Sequence, residues 1–192
     1  MTAQALSGGF SSPPEQAAHA FRAILESVAR PGTIWTLGGA QPPAPLSVAA
    51  GTALLTLADG TTPVHLAGDV DCPQVRDWIT FHIGAPLVAA ERAVFAVGRW
   101  PDLTPLGRFH QGDPDYPDRA ATLIVLMDDL THSGARLTGP GIKDHAGLSL
   151  PEIEAFQQNA AQFPLGLDFL FTAGDRMAAL PRSTKVEGAP CM

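Results

Sequence analysis

Ala121-Thr122-Leu123-Ile124-Val125-Leu126-Met127 is the stretch that decides the fold. It is a continuous apolar run, closed by Asp128-Asp129. A strand with one wet face alternates apolar and polar residues, whereas a strand covered on both sides reads as unbroken Val, Ile and Leu. The run is too short for a membrane span. It predicts a central buried strand with material packed on each face.

Working outward, the flanking segments alternate between helical and extended patterns. Ser12, Pro13 and Glu15 predict a helix start of capping-box type. Phe21, Ile24, Leu25 and Val28 then recur at the spacing that lines one helix face, and Pro31-Gly32 stops the helix. Thr33–Leu37 predicts a strand. Ser47 caps a second helix over Val48–Ala58, ended by Asp59-Gly60, and Val64-His65-Leu66 predicts a short strand. Asp71 is read as the cap of a third helix containing Val75, Trp78 and Ile79, closed by Gly84 and Pro86; Ala93–Val97 follows as a strand.

Pro101 to Asp118 contains four prolines and no periodicity, which predicts a long loop. Beyond the central run, Ala135–Thr138 predicts a strand ending in Gly139-Pro140-Gly141. Pro151 opens a helix through Ile153, Phe156 and Ala160. Leu167–Thr172 and Met177–Leu180 flank Ala173-Gly174-Asp175-Arg176, a β-hairpin pattern. Strands alternating with helices predict an α/β fold, layered α/β/α, with a mixed, mostly parallel sheet. The 192 residues read as a single domain over 1–192, with flexible ends at about 1–12 and 188–192.

Composition excludes several classes. The net charge is −7 and the only lysines are Lys143 and Lys185, which opposes nucleic-acid binding. Two cysteines, Cys72 and Cys191, make neither a disulfide framework nor a zinc knuckle, and they read as reduced thiols. No signal peptide or apolar membrane span is present, so the expected location is the cytoplasm.

No Walker loop, G-x-G-x-x-G fingerprint, G-x-S-x-G elbow or H-E-x-x-H motif occurs. Two segments remain as anion-binding candidates. Gly139-Pro140-Gly141-Ile142-Lys143 follows a strand and carries glycines beside a cation; it reads equally as a tight turn with a solvated lysine. Arg182-Ser183-Thr184-Lys185 offers two cations and two hydroxyls in four positions, or else a surface strand end. His110, Asp113, Asp115 and Asp118 read as a solvated acidic loop rather than a metal site, because Pro117 spoils the calcium-loop pattern. Asp128, Asp129 and His132 form a possible acid–base group that also fits a strand end in water, and His82 fits a packed histidine. No catalytic residue, metal or cofactor is assigned. Covalent pyridoxal chemistry in particular needs a lysine, and both lysines lie in turn-like contexts.

Taken in order, seven segments resemble one family. They are Phe21-Arg22 with Pro31-Gly32; Leu54 to Asp59 with Thr62-Pro63-Val64; Phe81-His82 with Ala85 to Val88; Phe95-Ala96-Val97; Leu137 to Ile142; Phe163 to Asp168; and Pro181 to Glu187. Their order and spacing are similar to the phosphonate metabolism protein H family, PhnH, from about Phe21 to Glu187. The Pro101 to Asp118 loop and the tail beyond Glu187 match poorly.

The resemblance implies a subunit of the carbon–phosphorus lyase core complex, with subunits G, I and J as partners. It implies support, with G and I, for making ribose 1-methylphosphonate 5-triphosphate from ATP and methylphosphonate. The implied role is structural and non-catalytic, in a fold resembling pyridoxal-phosphate-dependent transferases without the cofactor, and homodimeric when isolated. The alternative is a nucleotide- or phosphonate-binding enzyme subunit with its own transferase activity, holding ATP or a phosphonate.

Overall fold

The computed structural model describes residues 7–188; positions 1–6 and 189–192, Cys191 among them, lie outside the described residues. The chain runs α1 (Pro13–Ala29), β1 (Trp35–Thr36), α2 (Val48–Leu57), β2 (Val64–Leu66), α3 (Pro73–His82), β3 (Phe95–Arg99), α4 (Trp100–Leu103), β4 (Thr122–Leu126), β5 (Ala135–Thr138), β6 (Ala146–Leu148), α5 (Glu154–Ala160), β7 (Asp168–Ala173), β8 (Arg176–Leu180) and β9 (Lys185–Glu187). Six strands form one sheet in the order β1-β8-β7-β4-β3-β2. β2, β3, β4 and β7 are parallel, and β8 and β1 join antiparallel. The sheet is therefore mixed and mostly parallel, in an α/β architecture.

β4 lies between β3 and β7, where its apolar run requires it to be. Ile124 and Leu126 enter the core on one face with Val64, Leu66, Val97, Leu170, Met177 and Ala179. Helices α1, α2 and α3 cover that face through Ala20, Ile24, Ala53, Leu54, Val75, Trp78 and Ile79. Leu123 and Val125 enter the opposite core with Ala96, Phe169, Phe171, Ala178 and Leu180. The period-two alternation of a strand divides these residues between the two cores.

The second face differs from the expected helical layer. α4 and α5 supply Leu103 and Phe156, but a second sheet of three strands, ordered β6-β5-β9, supplies Leu137, Leu148 and Val186. β6 and β9 have three residues each and no sequence signal announced them. An aromatic cluster fills this side. The Phe156 ring lies 4.7 Å from Trp100 and 4.9 Å, edge-on, from Phe169. The Trp100 indole donates to Glu152 at 3.0 Å, so its polar edge is satisfied.

Helix starts follow local chemistry, with two departures. At α2, Ser47 Oγ accepts from Ala50 N at 3.1 Å, as a cap should. At α1 the reciprocal partner is Gln16, not Glu15: Gln16 Oε1 accepts from Ser12 N at 2.8 Å, while the Ser12 hydroxyl turns to Glu15 at 3.3 Å. At α3 the cap position is Cys72; Asp71 is one residue too early and pairs with Arg76 instead. The Arg76 guanidinium holds the Asp71 carboxyl below its ordinary value.

α1 also turns differently from its apolar pattern. Of Phe21, Ile24, Leu25 and Val28, only Ile24 is buried; the helix packs through Ala20, Ile24 and Ser27.

Residues 101–118 hold only short turns of helix, yet Leu103 and Phe109 anchor them in the second core. The described part of the N-terminal segment lies on the body: Gly8 O accepts from Gln41 N at 2.8 Å, and His82 Nε2 donates to Ser7 O at 3.1 Å. Outside β2, Leu87 adds a single parallel bridge to Val64. Among the described residues no helix is long and apolar enough to cross a membrane.

Phe156→Ala removes the ring on which Trp100, Phe169 and Phe171 all pack. The expected loss is ~3–5 kcal/mol of unfolding free energy, read from urea denaturation monitored by circular dichroism.

Candidate functional site

Pairing of β5 with β9 sets Thr138 opposite Lys185, so the two candidate anion-binding segments become neighbours. A Cβ built at Gly139 would lie 3.2 Å from Ser183 O and 3.5 Å from Thr184 Cα. Gly139 and Gly141 both have positive φ, +134° and +81°, and Ile142 N closes the turn on Gly139 O at 3.1 Å. Gly141 is fixed by space as well as by φ: its Cβ would sit 2.0 Å from Ala29 O at the end of α1. The turn is thus a close-packed joint between the small sheet and α1.

The side chains divide by role. Arg182 faces inward. Its Nε reaches both oxygens of Asp168 at 3.2 Å, its Nη2 binds Asp168 Oδ2, and its Nη1 donates to Pro117 O. The Arg182 backbone N also donates to Asp168 Oδ1 at 2.8 Å. The Arg182 side chain is only 12% exposed and Asp168 33%. This fork ties the turn after β8 to the first residue of β7 and to the 117–119 turn. Its donors face a carboxylate and a carbonyl. Thr184 is buried, and its hydroxyl has no partner among the described residues. Ser183 is half-buried. Lys143 and Lys185 are exposed, and neither ammonium group meets a carboxylate among the described residues. Arg136 and Glu187 close the small sheet with an ion pair of 2.8 Å.

A polar hollow of about 260 Å³ lies beside the carboxyl end of β2, lined by His65, Asp71, Arg76 and Arg92 among others. No motif spacing joins these four residues. His65 Nδ1 donates to Val88 O at 3.0 Å, which leaves Nε2 to accept from Arg108 Nη2 at 3.3 Å. Asp71 occupies Arg76, whereas Arg92 meets no carboxylate within ion-pair distance among the described residues.

His110 lies 3.6 Å from Asp113, and Asp129 pairs with Arg176. The Arg176 guanidinium holds the Asp129 carboxyl below its ordinary value. His132 Nδ1 donates to Gly32 O at 3.0 Å. Among the described residues no three His, Cys, Asp or Glu side chains converge on a metal position.

An apolar feature lies elsewhere, at the amino ends of β3, β4 and β7. A groove of about 280 Å³ runs between Val28, Leu57, Phe95, Leu170 and Pro181. It continues onto the outer face of α1, where Phe21 is 52% exposed, Leu25 56% and Val28 41%.

Comparisons with known proteins concern nearly the whole chain. The family described as bacterial phosphonate metabolism protein (PhnH) matches residues 8–187. A protein of Rhizobium meliloti (strain 1021) named alpha-D-ribose 1-methylphosphonate 5-triphosphate synthase subunit PhnH is 38% identical over 199 residues, covering 97% of this chain and 99% of its own. A protein of Stutzerimonas stutzeri with the provisional name C-P lyase subunit protein HtxG is 28% identical over 188 residues, covering 92% and 88%.

Arg182→Ala strips an inward-facing fork and leaves Asp168 without its counter-charge. The expected outcome is a loss of about 3 kcal/mol in unfolding free energy, measured by urea titration; an unchanged midpoint would remove the fork from the structural account.

Proposed function

Because the chain belongs to the bacterial phosphonate metabolism protein (PhnH) family, we propose that it is a subunit of the carbon–phosphorus lyase assembly in organic phosphonate catabolism. In this reading it supports, with subunits G and I, the formation of ribose 1-methylphosphonate 5-triphosphate from ATP and methylphosphonate. Full-length identity with a relative named as a synthase subunit carries the reading. Its role is structural and non-catalytic, with G, I and J as partners, a homodimer when isolated, and a cytoplasmic location. The geometry agrees: Arg182, the anion-binding candidate with the best chemistry, is spent on Asp168, and the apolar groove beside α1 opens onto an exposed apolar helix face.

The proposed kinship of the fold with pyridoxal-phosphate-dependent transferases, without the cofactor, has two supports. The sheet is mixed and mostly parallel, and both lysines are exposed at the small sheet and its turn.

A second reading gives the chain a nucleotide or phosphonate of its own. One observation favours it: β5 and β9 bring Gly139-Pro140-Gly141-Ile142-Lys143 beside Ser183-Thr184-Lys185, with two exposed ammonium groups. Lys143 and Lys185 would hold the anion there, and Arg182 would serve the fold.

Co-expression of the tagged chain with G, I and J from the same source, followed by sizing and mass analysis, tests the first reading. The expected result is a hetero-oligomer containing this chain; three subunits assembling without it would sink the proposal. For the second reading, calorimetric titration with ATP and methylphosphonate is expected to show binding that Lys143→Ala with Lys185→Ala weakens about tenfold. Binding that survives the double change rejects that site.

A further inference from the structure

The polar hollow beside β2 holds more positive charge than the fold uses. Its wall is built from the edge strand of the main sheet, the 87–89 segment that bridges to it, the start of α3 and the 90–92 turn. α3 contributes Arg76 and the turn contributes Arg92, and Asp71 is the one carboxylate residue in this lining. Asp71 engages Arg76 through Nε and Nη2, which fixes the plane of the guanidinium and leaves Nη1 without a partner among the described residues. Arg92 also borders a neighbouring hollow that holds Glu91, Asp113 and Asp118, yet it forms an ion pair with none of them.

A third cation stands behind the wall. Arg108 Nη2 donates to His65 Nε2 at 3.3 Å and to Asp102 O at 3.0 Å, and its Nε is buried with no partner among the described residues. Arg108 has no carboxylate within ion-pair distance either. Both ring nitrogens of His65 are occupied, one by Arg108 and one by Val88 O, so the ring offers the hollow no donor of its own. Setting Asp71 against Arg76 leaves Arg92 and Arg108 as two uncompensated charges at one small hollow. Like charges gathered in a concave site repel one another and raise the local concentration of anions.

The backbone adds a directional donor. In a parallel strand alternate residues turn their N–H and C=O toward the same neighbour. Val64 bonds outward to the bridging segment, its N to Pro86 O and its O from Val88 N, each at 2.9 Å. Ala67 N turns the other way, to Val97 O at 2.8 Å. Leu66 shares the outward direction of Val64 at a point where the bridge has ended, and its N–H meets no partner among the described residues. Leu66 lines the hollow.

A planar carboxylate is matched by one guanidinium fork. Here two guanidinium groups and an amide come from three separate elements, which suits an oxyanion whose acceptors point in three dimensions. Two uncompensated cations suit a double negative charge. At about 260 Å³ the hollow is smaller than the ~300–1,000 Å³ of pockets that enclose drug-sized ligands. It has room for a single phosphoryl-type group with a short substituent.

We propose that this hollow binds a small tetrahedral dianion of the phosphate class. Arg92, Arg76 Nη1 and the Leu66 N–H hold it, Asp71 orients Arg76, and Arg108 supplies charge from behind His65. The site is separate from the turn that carries Lys143 and from Lys185, and it stands whether or not the chain joins an assembly.

The test uses the full chain, purified alone, titrated with inorganic phosphate in a calorimeter and by amide nuclear magnetic resonance. Saturable binding is expected, with a shift of the Leu66 amide resonance. Arg92→Ala is expected to weaken it about tenfold or more; because Arg92 is exposed, the circular dichroism and melting temperature should stay unchanged. Lys143→Ala with Lys185→Ala is expected to leave this binding unchanged. Acetate, planar and singly charged, is expected to bind at least tenfold more weakly than phosphate. Comparison with glycerol 3-phosphate identifies the source: tighter binding of phosphate points to the free ion, and tighter binding of the ester to a small phosphorylated molecule, and either result supports the site. Absence of saturable binding at millimolar phosphate overturns the proposal. So does binding that survives Arg92→Ala, binding lost in the double lysine variant, or acetate binding as tightly as phosphate.

Discussion

The double-sided burial of β4 is the constraint on which the rest depends. A strand with Leu123 and Val125 on one side and Ile124 and Leu126 on the other cannot lie at a surface without exposing one set. Each such side chain stabilises the fold by roughly 1.5–3 kcal/mol when fully buried. Both faces must therefore be covered, and the two covers are built differently. Three helices close one face. The other is closed by short helical turns, the aromatic group around Phe156, and the small sheet β6-β5-β9. Strands on either side of β4 inherit the same division, which is why Leu170 and Phe171, adjacent in sequence, belong to different cores.

The polar residues mostly serve this arrangement. Arg182 joins the turn after β8 and the start of β7, neighbours through the β7–β8 ladder, to the 117–119 turn, which lies outside that ladder. Gly141 lets the turn after β5 press against the last carbonyls of α1. Both residues fall in segments that the family resemblance picks out. Their shared role in joining layers gives a physical reason for those segments to matter without chemistry being done there.

Much of the fold was legible in sequence where local signals agree. The apolar run of β4, the Ser47 cap, the hairpin around Gly174-Asp175 and the span of β5 all read correctly, because periodicity and turn chemistry point the same way. Three features were hidden, each for its own reason. β6 and β9 are too short to carry a period and exist only because β5 lies between them. The orientation of α1 was hidden because the helix has two apolar stripes. Large side chains advertise the outer one, while small Ala20 and Ser27 mark the inner one. The fate of Arg182 was hidden because its partner lies fourteen positions earlier, brought close only by the β7–β8 pairing that sets Phe169 opposite Leu180. A cation beside two hydroxyls looks like an anion site until its internal carboxylate is found.

The two margins of the main sheet carry a consequence for how this molecule can grow. On one side the last strand, β1, offers two residues; on the other, β2 offers three and is flanked by the segment that bridges through Leu87. Free backbone donors and acceptors at a sheet margin invite a foreign extended segment to join as another strand. Here neither margin is long enough to template one. The main sheet therefore offers little backbone to a foreign strand, and its outward contacts fall to helix and loop surfaces. Margins this short guard a chain rich in apolar strands against edge-to-edge aggregation.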